Sequence, residues 1–167
     1  SDLGLGWNLG NTFDAFSLHR ERETAVERGV TWTPEDQERL WLNQPFSPEQ
    51  ARMVRRAGFR TIRIPVTWAE WMSPDGTVDP RWMSAVARAV DDALAAGLYV
   101  IVNVHHDGGE GEIPWIRRAS HDREGVMARY RCLWEQIASR FVRYDNRLVF
   151  EGANELDFPD ASASSAY

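Results

Sequence analysis

The sequence predicts an α/β fold of (β/α)8-barrel type, to which this chain supplies about the first four βα units. Four short strand-like runs, Leu5 to Leu9, Phe59 to Val66, Leu98 to Val104 and Leu148 to Gly152, alternate with helix-patterned segments, as βαβ units and a parallel sheet require. One face of each run is aliphatic, while the other gains polar groups toward its carboxyl end. An open sheet covered by helices on both sides would read as unbroken aliphatic runs; a barrel whose lumen opens into a site reads as these runs do. The length, 167 residues, is well short of the roughly 250 of a complete eight-unit barrel.

Each element carries its own signal. The first run leads into 16–46, a long charged stretch with Arg20-Glu21-Arg22-Glu23 and Thr33-Pro34-Glu35-Asp36, read as an elaborated first βα loop with room for a short helix. Ser47-Pro48-Glu49-Gln50 supplies an N-cap, a first-turn proline and a capping-box glutamine, and Gly58 ends that helix. In the second run Ile62, Ile64 and Val66 oppose Thr61 and Arg63. Asp79-Pro80 opens the next helix and Gly97 closes it, with Met83, Val86, Ala87, Val90 and Leu94 as its apolar stripe. Val100, Val102 and Val104 then oppose Ile101, Asn103 and His105. The third long helix runs from about Asp122 to Arg143, with Val126, Met127, Tyr130, Leu133, Trp134, Ile137 and Phe141 on one face. Tyr144 to Arg147 is a turn, and in the last run Leu148 and Phe150 oppose Val149, Glu151 and Ala153.

Composition narrows the partners. A net charge of −6 argues against a polyanion such as nucleic acid. The single cysteine, Cys132, gives no disulfide framework and reads as a small buried hydrophobe in a helix. No apolar run of membrane-spanning length is present, and Ser1-Asp2-Leu3-Gly4 has no basic and hydrophobic leader, so neither a membrane span nor a retained signal peptide is expected. Eight tryptophans, several near strand ends or in loops, suit stacking on the apolar faces of sugars as well as packing.

The chemistry-bearing residues cluster at the strand ends. Asn154-Glu155 follows the fourth run, and a carboxyl at a barrel mouth serves as general acid if poor solvation raises its pKa. Arg63 stands in an aliphatic strand, where a carboxylate must partner it; it either keeps a nucleophilic carboxylate ionised or forms a structural ion pair with Glu151. His105 and His106 end the third run. Strand alternation turns them to opposite sides, so a shared metal ion is not expected; His105 reads as a lumen-facing hydrogen-bonding group and His106 as a rim residue.

Together Gly6-Trp-Asn-Leu-Gly-Asn11, Arg63-Ile-Pro-Val-Thr-Trp68, Asn103-Val-His-His-Asp107 and Phe150-Glu-Gly-Ala-Asn-Glu155 resemble family 5 of the glycoside hydrolases, in its cellulase-like members. The resemblance spans Leu5 to about Phe158. It implies a (β/α)8 barrel that cleaves β-1,4-linked glucans or related plant polysaccharides with retention, outside the cell and without a cofactor or metal. It further implies Glu155 as acid/base, Asn154 holding the 2-hydroxyl and Glu155, Arg63 supporting the nucleophile, and His105 in the hydrogen-bonded shell. Asn11, Asp14, His106 and Trp68 match positions lining the non-reducing side of the cleft. Leu156 departs from the family's usual Asn-Glu-Pro.

The family's nucleophilic glutamate lies on the seventh strand, and retaining hydrolysis needs two carboxyls roughly 5 to 5.5 Å apart. Glu151, Asp107, Glu110 and Glu112 are weak substitutes, so the 167-residue chain by itself is expected to be catalytically silent. The outer strands of a four-stranded half-barrel need cover, from a C-terminal half-barrel or from a second copy of the chain. Residues 159–167 read as linker-like or frayed. Competing readings are a non-catalytic carbohydrate-binding module, a metal-dependent hydrolase and a self-associating half-barrel scaffold; glucan, xyloglucan, mannan and xylan are left open as substrates.

Overall fold

Four strands, β1 (Gly6–Asn8), β2 (Thr61–Ile64), β3 (Tyr99–Asn103) and β4 (Leu148–Glu151), form one parallel sheet in the order β1-β2-β3-β4. A computed structural model of the chain describes residues 2–17, 20–108 and 115–156. The loop acids Glu110 and Glu112 and the linker-like stretch 159–167 lie outside the described residues.

Sequential parallel order is the topological mark of a closing sheet. Parallel crossovers are right-handed, so a chain that adds each strand on the same side lays every helix on the same face; a doubly wound sheet must reverse direction to cover both. The helices obey this: α3 (Pro48–Arg56) packs on α4 (Pro80–Ala95), and α4 packs on β3 and on α5 (Arg123–Phe141). The register pairs Asn8 with Arg63, Arg63 with Ile101, and Asn103 with Glu151. Arg63, Asn103 and Glu151 therefore share the face turned away from the helices, with the paired Asn103 and Glu151 one step nearer the carboxyl ends than Arg63.

The helices start and stop where their side chains dictate. Ser47 Oγ accepts the Gln50 N–H at 3.3 Å while Gln50 Oε1 accepts the Ser47 N–H at 2.9 Å, a reciprocal cap of the kind that contributes about 1 kcal/mol. Asp79 and Asp122 cap α4 and α5 through Arg81 N–H and Gly125 N–H. Gly58 and Gly97 close α3 and α4 at φ of +97° and +83°, a region open to glycine at no steric cost.

Ile62, Ile64, Val66, Val100, Val102 and Val104 are fully buried beneath the helix layer. The buried face of α4 centres on Trp82, Val86, Ala89, Val90 and Ala93, whereas Met83 and Leu94 are only partly covered. The stripe is thus rotated from its sequence reading, because alanines admit the sheet more closely than the larger side chains. Cys132 is half-buried rather than buried; α5 presents it beside Gly76, and Gln136 reaches its carbonyl at 2.9 Å.

Residues 16–46 hold two helices, α1 (Arg20–Glu27) and α2 (Pro34–Arg39). Buried acids tether this charged segment. Glu70 accepts the Ser17 N–H at 2.9 Å and the Gln37 amide at 2.6 Å. Glu38, wholly buried, accepts the Phe46 N–H and the Arg88 guanidinium at 2.9 Å each. Burial pushes the Glu38 carboxyl upward, and those two partners oppose the shift. The sequence shows room for a short helix here, but not these tethers. The outer strands are open: Leu5 and Trp7 are 73% and 40% exposed, and Val149 and Phe150 37% and 41%.

Candidate active site

The site grows from the last residue or two of each strand. On β2, Arg63 spreads its guanidinium over three partners. Nε and one terminal nitrogen fork onto Glu151 at 2.7 and 2.6 Å, that same nitrogen reaches Asn154 Oδ1 at 3.0 Å, and the other reaches Asn8 Oδ1 at 3.1 Å. A planar, always charged fork suits this task and an ammonium would not. The fork holds the Glu151 carboxyl below the usual carboxylate range and raises the Arg63 pKa in return. The structural ion pair with Glu151 thus exists, and the same guanidinium also braces Asn154, immediately before Glu155.

On β3, fully buried Asn103 bonds in three directions: its Oδ1 accepts the Val66 N–H at 3.1 Å, and its Nδ2 lies 3.1 Å from both Glu151 Oε1 and His105 Nδ1. The expectation that His105 and His106 face opposite ways does not hold. Regular strand geometry ends at Asn103, so alternation no longer governs residues 105 and 106. Their rings pack edge to face 4.5 Å apart, and their Nε2 atoms lie 4.0 and 3.9 Å from the same oxygen, Asp14 Oδ2. Burial holds both imidazoles below their ordinary pKa, His105 at about 4. The neighbouring His106 pushes His105 further in that direction, while Asp14 opposes it.

Asp14 is itself buried after β1; its Oδ1 accepts the Thr12 N–H at 2.9 Å, and its carbonyl accepts the Thr67 hydroxyl at 2.9 Å. Asn11 is exposed at the lip in a left-handed conformation, φ +62°, and its carbonyl accepts the Asn43 amide at 2.8 Å. Glu155 is exposed and also left-handed, φ +33°. A non-glycine residue held there carries backbone strain of the kind that gathers at functional sites. The poorly solvated surroundings that the sequence reading asked of Glu155 are not found among the described residues, but its charge is felt by Arg63 and by His106.

Trp68, expected to face substrate, is wholly buried instead. Its indole N–H bonds Asn103 O at 3.1 Å and its backbone N–H bonds Asp107 Oδ2 at 2.9 Å, so it backs the site rather than lining it. Asp107 is fully buried with its second oxygen on the Trp115 indole N–H at 2.6 Å. Burial lifts its carboxyl to about 6 against those donors. Both Asp107 and Glu151 therefore have each oxygen engaged and neither offers a free carboxylate to a reacting carbon.

Three features escaped the sequence reading: the bonding role of Asn8, that of Asn103, and an aromatic wall. Phe16 sits edge-on to Trp41 at 5.0 Å and to His106 at 5.2 Å, and Trp41 lies 5.8 Å from His106. An indole inside a charged loop was the available signal, since polar loops seldom need one for packing. The β3 and β4 loops touch at Gly108, where an added Cβ would meet Asn154 O at 3.2 Å and Glu155 O at 3.4 Å. Arg63, Asn154, Glu155, Asp14, His105 and His106 are thus gathered at one end of the sheet.

Residues 20–164 match the family described as Cellulase (glycosyl hydrolase family 5). Endoglucanase A of Paenibacillus barcinonensis is 36% identical over 160 residues, 93% of this chain and 36% of its own length. A solved family 5 enzyme of Prevotella bryantii superposes with a TM-score of 0.86 at 35% identity, covering 99% of this chain and 47% of the other; a mutant of it was solved with a xyloglucan tetradecasaccharide. A broad-specificity endoglucanase from an uncultured bovine rumen ciliate gives a TM-score of 0.81 at 40% identity, covering 96% and 41%. The chain spans about a third of the length of the curated relatives it matches.

Proposed function

The chain belongs to family 5 of the glycoside hydrolases, with four parallel strands and their helices as one part of a (β/α)8 barrel, and from that premise we propose that it carries the acid/base half of a retaining endo-β-1,4-glucanase. The observation that carries this reading is the placement of Arg63 on β2, which reaches past β3 to fork onto Glu151 and brace Asn154 beside Glu155 at the carboxyl end of β4. In a barrel, that end is where reacting groups are presented.

Glu155 protonates the glycosidic oxygen as a second carboxylate attacks the anomeric carbon, then takes a proton from the water that releases the sugar. Asn154, its Oδ1 held by Arg63, turns its amide N–H2 toward a sugar hydroxyl. Asp14, His105 and His106 bind hydroxyls on the non-reducing side, Asn11 stands at the lip, and Trp41 with Phe16 offers a stacking wall. The second carboxylate comes from outside these four βα units, supplied by a C-terminal half-barrel. β-Glucan is the substrate class, and a xyloglucan backbone is a second candidate, because a relative was solved with that polymer. Polymers of this size are degraded outside the cell; no described helix is long and apolar enough to cross a membrane.

Reducing-end release from a soluble β-glucan tests the reading. The 167-residue chain alone is expected to be silent, and a complete barrel containing it active and dependent on Glu155. Turnover by the isolated chain that survives Glu155→Gln would refute it.

A further inference from the structure

The orientation of the Asn103 amide is fixed by groups whose roles are not open to choice. The Val66 backbone N–H can only donate, so the Asn103 atom 3.1 Å from it is the oxygen. The Glu151 carboxylate, forked by Arg63, can only accept, so the atom 3.1 Å from it is the nitrogen. The second hydrogen of that nitrogen points at His105 Nδ1, also 3.1 Å away. Nδ1 must then present a lone pair, and in a neutral imidazole the single proton sits on Nε2.

We propose that Asn103 is a positioning residue that locks His105 in the Nε2–H tautomer, making its imidazole a hydrogen-bond donor at the mouth, beside Asp14 Oδ2. The two atoms are 4.0 Å apart, too far to satisfy each other well. One sugar hydroxyl can bridge them, accepting from Nε2–H and donating to Asp14. The tautomer follows from the hydrogen bonds alone; only the bridging hydroxyl rests on the sugar-binding reading above.

The charged groups around the ring agree with a neutral imidazole. His106 and Arg63 disfavour its protonation, Asp14 and Glu151 favour it, and burial outweighs them all. Asn103, being neutral, supplies a donor without adding a charge. The same lock bears on metal binding. One donor atom from each of Asp14, His105 and His106 falls within 4.8 Å of the others, a spacing that invites an ion. With the proton on Nε2, the lone pair of His105 faces Asn103 instead, so the trio is a poor chelate.

Long-range proton–nitrogen spectra of the full chain labelled in its histidines read the tautomer directly at pH 7. The unmodified chain should show His105 Nε2 as a protonated-type nitrogen and Nδ1 as an unprotonated one, and zinc should leave both in place. A proton on Nδ1, or zinc ligation at His105 Nε2, overturns the proposal. Asn103→Asp puts an acceptor opposite Nδ1; it should draw a proton there and raise the His105 titration midpoint by about one pH unit or more, and an unchanged spectrum counts against Asn103. Should that variant fail to fold, the measurement on the unmodified chain still decides. Cellotetraose should shift the Nε2 signal without moving its proton; no shift, with the tautomer intact, refutes the bridging hydroxyl and the sugar reading while leaving the lock.

Discussion

Asp107→Asn gives the account a quantitative handle away from the reacting groups. The carboxyl is fully buried, its oxygens bonded to the Trp68 N–H and the Trp115 indole, and burial raises it from the ordinary 3.8 to about 6. The native state therefore holds this proton more tightly than the unfolded chain does. Between the two values native protein binds more protons, so stability falls as pH rises, and the cost is complete above about 6. The interval is about two pH units, which at about 1.4 kcal/mol each makes the contribution about 3 kcal/mol. The carboxamide of the variant does not titrate. Urea unfolding of both proteins, followed by tryptophan fluorescence from pH 4 to 7, removes every contribution they share. The stability of the unmodified chain relative to the variant should decline by about 3 kcal/mol across that range. A pH-independent difference would refute the reasoning and return Asp107 to the pool of free carboxylates.

Other perturbations separate architecture from chemistry. Arg63→Lys cannot reproduce the fork onto Glu151 and Asn154; stability should fall by about 1 kcal/mol, since the pair is partly screened by solvent, and turnover in a complete barrel by more than tenfold. Glu155→Gln changes an exposed side chain, so the urea midpoint should hold within about 0.5 kcal/mol, whereas hydrolysis by the complete barrel is abolished. Gly108→Ala brings a methyl against the Asn154 and Glu155 carbonyls; titration calorimetry should register weaker cellotetraose binding with unfolding little changed. Burial lowers the pKa of His105 to about 4 and moves His106 in the same direction, so the stability that neutral His105 contributes is present above pH 6.5 and lost on acidification toward 4. His105→Gln should flatten that acid limb.

Periodicity and punctuation made much of the fold legible. Ser47, Asp79 and Asp122 announce helices that begin one residue later, and the aliphatic faces of β2 and β3 lie beneath them. What stayed hidden depended on distant partners. The tethers from Glu38 and Glu70 join residues far apart in sequence, so 16–46 reads from the sequence only as an elaborated first loop with room for a short helix. His105 and His106 were assigned opposite sides because the alternation rule was carried past the end of β3. Trp68 looked like a sugar platform by resemblance, yet its N–H bonds tie it inside the core. Asn103 was legible as a polar residue on the lumen face but not in its role, which lies in which neighbour meets each atom of one amide.

The central claim is that Arg63, Asp14, His105, Asn154 and Glu155 serve one sugar-binding mouth. A cellotetraose titration followed by side-chain and backbone resonances tests it most directly. The account predicts that the Arg63 guanidinium, the His105 and His106 rings, the Asn154 amide and the Trp41 indole shift together along one saturating curve. Shifts confined to other surfaces, or separate curves for Arg63 and His105, would contradict it.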